Sequence, residues 1–445
     1  MQHLKLTVPF LLLLAFGFAC TPNKYISKKE LRTVEKIIED SPVFSQQFTG
    51  FELYDPVNKI SLISKNGHKY FTPASNTKIL SLYTALTTLG DSLPLLNYIE
   101  TEEALYFWGT GNPLFLHPDF DTGSEALEFL KSQNKPLRFV DQNFKDTRFG
   151  DGWMWDDYPF YYQVEKSALP IYGNAVRFTL SSDSDQLEIL PAYFTGVSKE
   201  GINSNWFYIN REEYLNWFEY HIPQNYNGEP ITKEVPFITS EMTIRNLLSD
   251  TLKRKVLPAP EFSLDTFTQW ETLFIPMPDT LYRRLMHESD NFIAEQLLLM
   301  CSNKVLGYQK TITFIEYAKQ FIFTDLPDEL LWYDGSGLTR YNMFTPRSLV
   351  TILDRMRAEF SEERLLEIFP AGGQSGTIEN YYGGTPPFVF AKTGTLRNNH
   401  CLSGYIKTDS GQTLIFSFMN NHYKGGSDLV KKEMEKVLRV IKEQF

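Results

Sequence analysis

The sequence predicts a mixed α/β chain of more than one domain, with a mainly β insertion between two segments that hold the helices. Three observations carry this. A chain of 445 residues is too long for one ordinary hydrophobic core. Residues of about 21–95 and 237–445 hold the runs with helical spacing and several clean alternating strands. Between them, residues 96–236 are aromatic and loop-rich, with short alternating runs and one amphipathic helix, "SEALEFLKSQNK".

The first segment, "MQHLKLTVPFLLLLAFGFAC", has Lys5 ahead of an apolar run from Val8 to Ala19. That run is too short to span a bilayer and has the length of a signal-peptide core, so residues 1–19 are expected to be a signal peptide. Small residues Gly17 and Ala19 precede Cys20, a pattern that resembles the lipobox of bacterial lipoproteins. The resemblance implies lipid on Cys20, a membrane anchor, and a place in the periplasm or cell envelope. An ordinary cleaved signal with an incidental cysteine is the plainer alternative, since Phe18 and Gly17 depart from the usual residues.

The elements then follow in order. "ELRTVEKIIED" is a helix, and "GFELYDPVNKISLISKNGHKYFTP" reads as two strands around "DPVNK" with an Asn66-Gly67 turn after them. "TPASNTKILSLYTALTTLG" is an apolar helix opened by Pro73 and closed by Gly90. The insertion contributes strands in "ALYFWGT", "NAVRFTL", "QLEILPAYF" and "NSNWFYIN". Helices return at "TSEMTIRNLLSDTLKRK" and "PDTLYRRLMHESDNFIAEQLLLMCS", the second interrupted by Ser289-Asp290-Asn291. Three strands, "FVFAKTGTL", "CLSGYIKT" and "QTLIFSFMNN", precede a final amphipathic helix.

A net charge of −11 with no basic stretch argues against nucleic acid as a partner. Three cysteines encode no disulfide framework, and Cys301 and Cys401 read as buried small hydrophobes. The histidines lack metal spacing; His287-Glu288 has no second histidine of a zincin. No Gly-x-Ser-x-Gly elbow occurs, which argues against an α/β-hydrolase.

Chemistry gathers at three motifs. Ser75 and Lys78 share a face at the start of their helix, so Lys78 can act as base for a Ser75 nucleophile if burial and a nearby cation such as Lys392 make its amine partly neutral. Ser289-Asp290-Asn291 and Lys392-Thr393-Gly394-Thr395 follow in order. Each has a plain structural account alone: a helix cap, a turn, a solvated strand lysine. A second Ser-x-x-Lys, Ser132 to Lys135, lies at a helix end before Pro136 and has no such company.

The trio, together with "FTPASNTK", "GTGNP", "FGDGWMWDD", "SALPIYGN", "DGSGLTR", "SGTIENYY" and "AKTGTL", resembles the class C low-molecular-mass penicillin-binding proteins, the D-alanyl-D-alanine carboxypeptidases/endopeptidases. The resemblance implies a serine penicillin-binding/β-lactamase-like fold, an antiparallel sheet flanked by helices, with the insertion beside the site. It implies cleavage of D-Ala–D-Ala bonds in peptidoglycan stem peptides through an acyl-Ser75 intermediate, inhibition by β-lactams, and no metal or organic cofactor. Catalytic roles fall to Ser75, Lys78, Ser289, Asn291 and Lys392. Substrate carboxylate binding falls to Lys392, Thr393, Gly394 and Thr395, and the oxyanion to the backbone N–H groups of Ser75 and Thr395. Two departures are Asn112 in place of an aspartate, and Tyr381 or Tyr382 where an arginine often stands; both are expected at the insertion or the site rim. A β-lactamase with the same acylation chemistry is the rival enzyme, but no Glu-x-x-x-Asn segment lies between Ser289 and Lys392. A wall-binding lipoprotein with a vestigial site is the rival outside enzymes, and the intact motif residues oppose it. "WMWDDYPFYY" reads as an aromatic inter-domain core in preference to a glycan platform.

Overall fold

The computed structural model describes residues 26–181, 187–202, 204–224, 226, 228–259, 262–264 and 269–445. The expected signal peptide and Cys20 lie outside the described residues.

Five antiparallel strands form the central sheet, in the order Val389–Leu396, Asn399–Lys407, Thr413–Asn421, Phe48–Asp55 and Ile60–Lys65. Alternation along the strands sorts their side chains between two apolar layers. Leu402, Ile406, Leu414, Phe416 and Phe418 meet the apolar stripes of the helices Lys28–Glu39 and Asp428–Gln444, including Val34, Ile38, Met434 and Val437. Cys401, Tyr405, Ile415 and Met419 join a core on the opposite face with the helices Lys78–Leu89 and Pro346–Glu359. Ala391 belongs to the first layer, so strand parity turns its neighbour Lys392 toward the second, where it pairs in register with Ser403.

The helix Lys78–Leu89 is buried almost all round, and it packs on the helix Asn291–Leu306. Burial of Ile79, Leu80, Leu82, Leu86 and Leu89 contributes on the order of 10 kcal/mol, taken as an upper bound. Gly90 then ends the helix with φ 69°, a backbone that glycine adopts without strain.

Among the described residues, 92–276 are strand-dominated, with three sheets and the helices Glu125–Ser132 and Glu241–Leu252. The largest of these sheets runs Val256–Pro258, Leu137–Phe139, Leu105–Gly109, Ser92–Glu100 and Glu271–Pro276. It therefore takes strands from both sides of the expected 96–236 limits. Ser92 pairs with Pro276, and Met277 N donates to Asp91 O at 2.9 Å, so the chain leaves and returns at adjacent points. Three residues such as "VLP" carry no period, so the sequence does not announce this return.

Candidate active site

Ser75 lies in a single 3₁₀ turn, Ala74–Thr77, directly before the helix that Lys78 opens. Its side chain makes no cap, and Ala74 just before it has φ 48°, an uncommon conformation for a residue with a Cβ. Lys78 is fully buried, not extended to solvent. Its Nζ donates to Ser75 Oγ at 3.0 Å, Asn291 Oδ1 at 2.5 Å and the Ser336 carbonyl oxygen at 2.7 Å. Burial pushes the lysine down to about 8, against the pull of Asp334, Asp290 and Glu295. The charged neighbours that act on it are carboxylates, and they oppose the lowering. The cation–cation effect expected between the two lysines instead falls on Lys392, which burial and then Lys78 hold well below the ordinary lysine value.

Ser289 separates the helices Asp279–His287 and Asn291–Leu306, and its φ of 56° makes the break that the sequence anticipates. Asp290 caps the second helix by accepting from Ile293 N at 3.0 Å, and Arg284 holds the same carboxylate at 3.0 Å. Arg284 also meets Asp119, which pairs with Arg177, so an ion-pair chain ties this break to the insertion. Asn291 presents Oδ1 to Lys78, while its Nδ2 donates to the Tyr162 carbonyl at 2.8 Å. That amide is thus engaged by the insertion.

The strand Val389–Leu396 lies against the Ser75 turn. Asn76 Nδ2 donates to Lys392 O at 2.8 Å, and a Cβ on Gly394 would collide with the Pro73 carbonyl oxygen. Only glycine permits that approach. Lys392 Nζ donates to Ser289 Oγ at 2.8 Å and Thr393 O at 2.9 Å. Among the described residues no carboxylate pairs with it. Thr393 bonds Thr377 at 2.7 Å, and Thr395 Oγ1 meets His400 Nδ1 at 2.8 Å.

All the motif residues therefore converge: Ser75, Lys78, Ser289, Asn291, Lys392, Thr393, Gly394 and Thr395. A cleft of about 760 Å³ is lined by Ser75, Ser289, Asn291 and Thr395, together with Arg340 and with Asp157 and Tyr161 of the insertion. Ser132 is exposed and bonds back to Phe129 O, and Lys135 pairs with Glu100, so the second Ser-x-x-Lys is structural. Neither Tyr381 nor Tyr382 reaches the rim: Tyr382 is fully buried and Tyr381 bonds Asp428. Asn112 is buried in a turn, accepting from Leu114 N. Within the aromatic run Trp155, Phe160 and Tyr161 are exposed at 74%, 49% and 69%, while Trp153 is part-buried and bonds Asp334 across to the other domain.

Sequence reasoning missed Thr377, Asp334 and Glu295. The first two stand in "SGTIENYY" and "DGSGLTR", whose only signal was likeness. Glu295 lies one helical turn beyond Asn291, and that spacing was a usable signal.

A family model described as the D-Ala-D-Ala carboxypeptidase 3 (S13) family matches residues 31–197 and 273–444. The chain is 25% identical to a D-alanyl-D-alanine carboxypeptidase of Actinomadura sp. (strain R39), over 91% of this chain and 83% of that one. It is 23% identical to penicillin-sensitive carboxypeptidase A of Dictyostelium discoideum, covering 86% and 85%. Among solved structures, penicillin binding protein 4 from Haemophilus influenzae shares the fold, with TM-score 0.71 and 20% identity over 92% and 98% of the two chains.

Proposed function

Because the chain belongs to the D-Ala-D-Ala carboxypeptidase (S13) family, we propose that Ser75 is the nucleophile with which it cuts the D-Ala–D-Ala bond of peptidoglycan stem peptides. One observation carries the assignment: a fully buried lysine amine within 3.0 Å of the Ser75 hydroxyl. With its proton affinity lowered to about 8, roughly a tenth of Lys78 is neutral at pH 7. That fraction accepts the Ser75 proton as Oγ attacks the penultimate D-Ala carbonyl. The backbone N–H groups of Ser75 and Thr395 receive the oxyanion. Collapse expels the D-Ala amine, to which the proton returns from Lys78 by way of Ser289. Water then hydrolyses the acyl ester with the same groups acting in reverse. Lys392, free of any carboxylate, and Thr395 hold the substrate's terminal carboxylate.

β-Lactams acylate the same serine in this reading, in keeping with the name penicillin-sensitive carboxypeptidase carried by one relative. The exposed aromatics of the insertion contact the stem peptide beyond the D-Ala pair. Lipid on Cys20 anchors the enzyme in the cell envelope; no helix among the described residues is long and apolar enough to cross a membrane. Fluorescent penicillin should label the wild type and not Ser75→Ala, and purified sacculi should release free D-alanine. A tryptic adduct on Ser132 or Ser289 would overturn the assignment.

A further inference from the structure

Lys78 is held by a loop that two buried carboxyl groups organise. Asp334 accepts from five donors: Gly337 N (2.9 Å) and Asn342 Nδ2 (2.6 Å) on one oxygen, and Trp153 Nε1 (3.0 Å), Thr339 N (2.9 Å) and Ser336 Oγ (3.3 Å) on the other. The peptide between Ser336 and Gly337 thus donates to Asp334 while its carbonyl accepts from Lys78 at 2.7 Å. Glu295 holds the loop from the opposite side, its Oε1 accepting from Ser336 N at 2.8 Å. It lies four residues beyond Asn291 on the same helix, so one helix face touches Lys78 directly and again through Ser336. Glu295 is 1% exposed, and its Oε2 is buried without a hydrogen-bond partner among the described residues. Such an oxygen costs most when the carboxyl is ionised and least when it carries a proton.

We propose that Glu295 is a positioning residue that governs proton loss from Lys78, each group's loss of a proton making the other's harder. This rests on Lys78 being the base. The charged groups around the pair are few. Lys78 faces Asp334, Asp290 and Glu295, with Lys392 beyond. Glu295 faces Asp334, which with burial pushes its carboxyl up, and Lys166, which opposes that and is itself paired with Asp146 at 2.9 Å.

The two protons are then coupled with a definite sign. While Glu295 is protonated, Lys78 is easier to deprotonate. Once Glu295 ionises, its charge holds the lysine's proton. The neutral amine therefore appears over a broader pH range than one group alone would give. Glu295→Gln keeps an acceptor for Ser336 N and removes the charge.

The test is the second-order rate of acylation by a chromogenic β-lactam between pH 5 and 10, for both proteins. The wild-type acid limb should be shallower than a one-proton curve. Glu295→Gln should give a one-proton limb at lower pH, roughly threefold faster near the middle of the range. The two should converge at pH 5, where Glu295 is protonated in any case, and on the alkaline plateau. A merely structural glutamate would instead slow the variant at every pH, and that outcome overturns the proposal, as do superimposable profiles. A plain one-proton limb in the wild type overturns it even if the variant does not fold. Failure of the underlying reading looks different: Lys78→Ala would then retain the wild-type profile.

Discussion

Replacing Lys78 with methionine should change how stability depends on pH, by an amount the structure fixes. In the folded chain the amine loses its proton at about 8, against an ordinary value of 10.5. Below pH 8 the folded and unfolded chains both hold the proton, and burial of the charge is a constant cost. Between 8 and 10.5 the unfolded chain still holds a proton that the folded one has released. The unfolded state then binds more protons, so wild-type stability rises with pH through that window. Above 10.5 neither state is charged and the gain is complete. The shift corresponds to about 3 kcal/mol in full, most of which falls between pH 7 and 10. Lys78→Met has no such window. The variant also leaves the acceptors on Ser75, Asn291 and Ser336 unpaired, but that loss is independent of pH and drops out of the slope. Relief of Lys392, whose proton affinity Lys78 depresses, adds with the same sign. Urea unfolding of both proteins at pH 7, 8.5 and 10 reads the difference directly. A stability gap that stays flat across the three pH values would refute a buried ammonium with lowered proton affinity.

Two further outcomes test the ends of the scheme. Cys20→Ser should release the protein from the membrane fraction while leaving penicillin labelling intact; an intact mass placing the mature N-terminus elsewhere would rule the anchor out. Trp155→Ala and Tyr161→Ala, both at exposed positions, should lower turnover of muropeptides more than that of a short D-Ala–D-Ala peptide, with β-lactam acylation least changed. Equal losses on all three substrates would mean these rings only support the fold.

The residues most legible in the sequence were those whose geometry is set locally. Ser75 and Lys78 meet because they stand three positions apart in one turn, and Lys392 faces them because strand parity leaves it no other direction. The helix break at Ser289 was readable from the polar triplet in an apolar run. What stayed hidden depends on elements far apart in sequence. The five donors on Asp334 come from the insertion, from its own loop and from Asn342, and no short pattern encodes that convergence. For the same reason the sign of the field at Lys78 was misjudged: Lys392 was visible as a motif partner, while Glu295 looked like one more residue of an apolar helix. Exposure of the aromatic run was equally hidden, because ring-rich segments read alike whether they cover a core or face a cleft.

The central sheet threads the strand Phe48–Asp55 between Ile60–Lys65 and Thr413–Asn421. That order has a consequence in time. A chain that stops at Gln412 already contains Ser75, Lys78, Ser289, Asn291 and Lys392, yet it lacks the strand that joins the two halves of the sheet. The strand bearing Lys392 then has no ladder connection to the one that leads to Ser75. Pairing between residues some 370 positions apart, such as Phe48 with Asn421, comes late in folding, since so long a loop must close first. Ser75 and Lys392 therefore share one sheet-held frame only once the strand Thr413–Asn421 has paired on both sides.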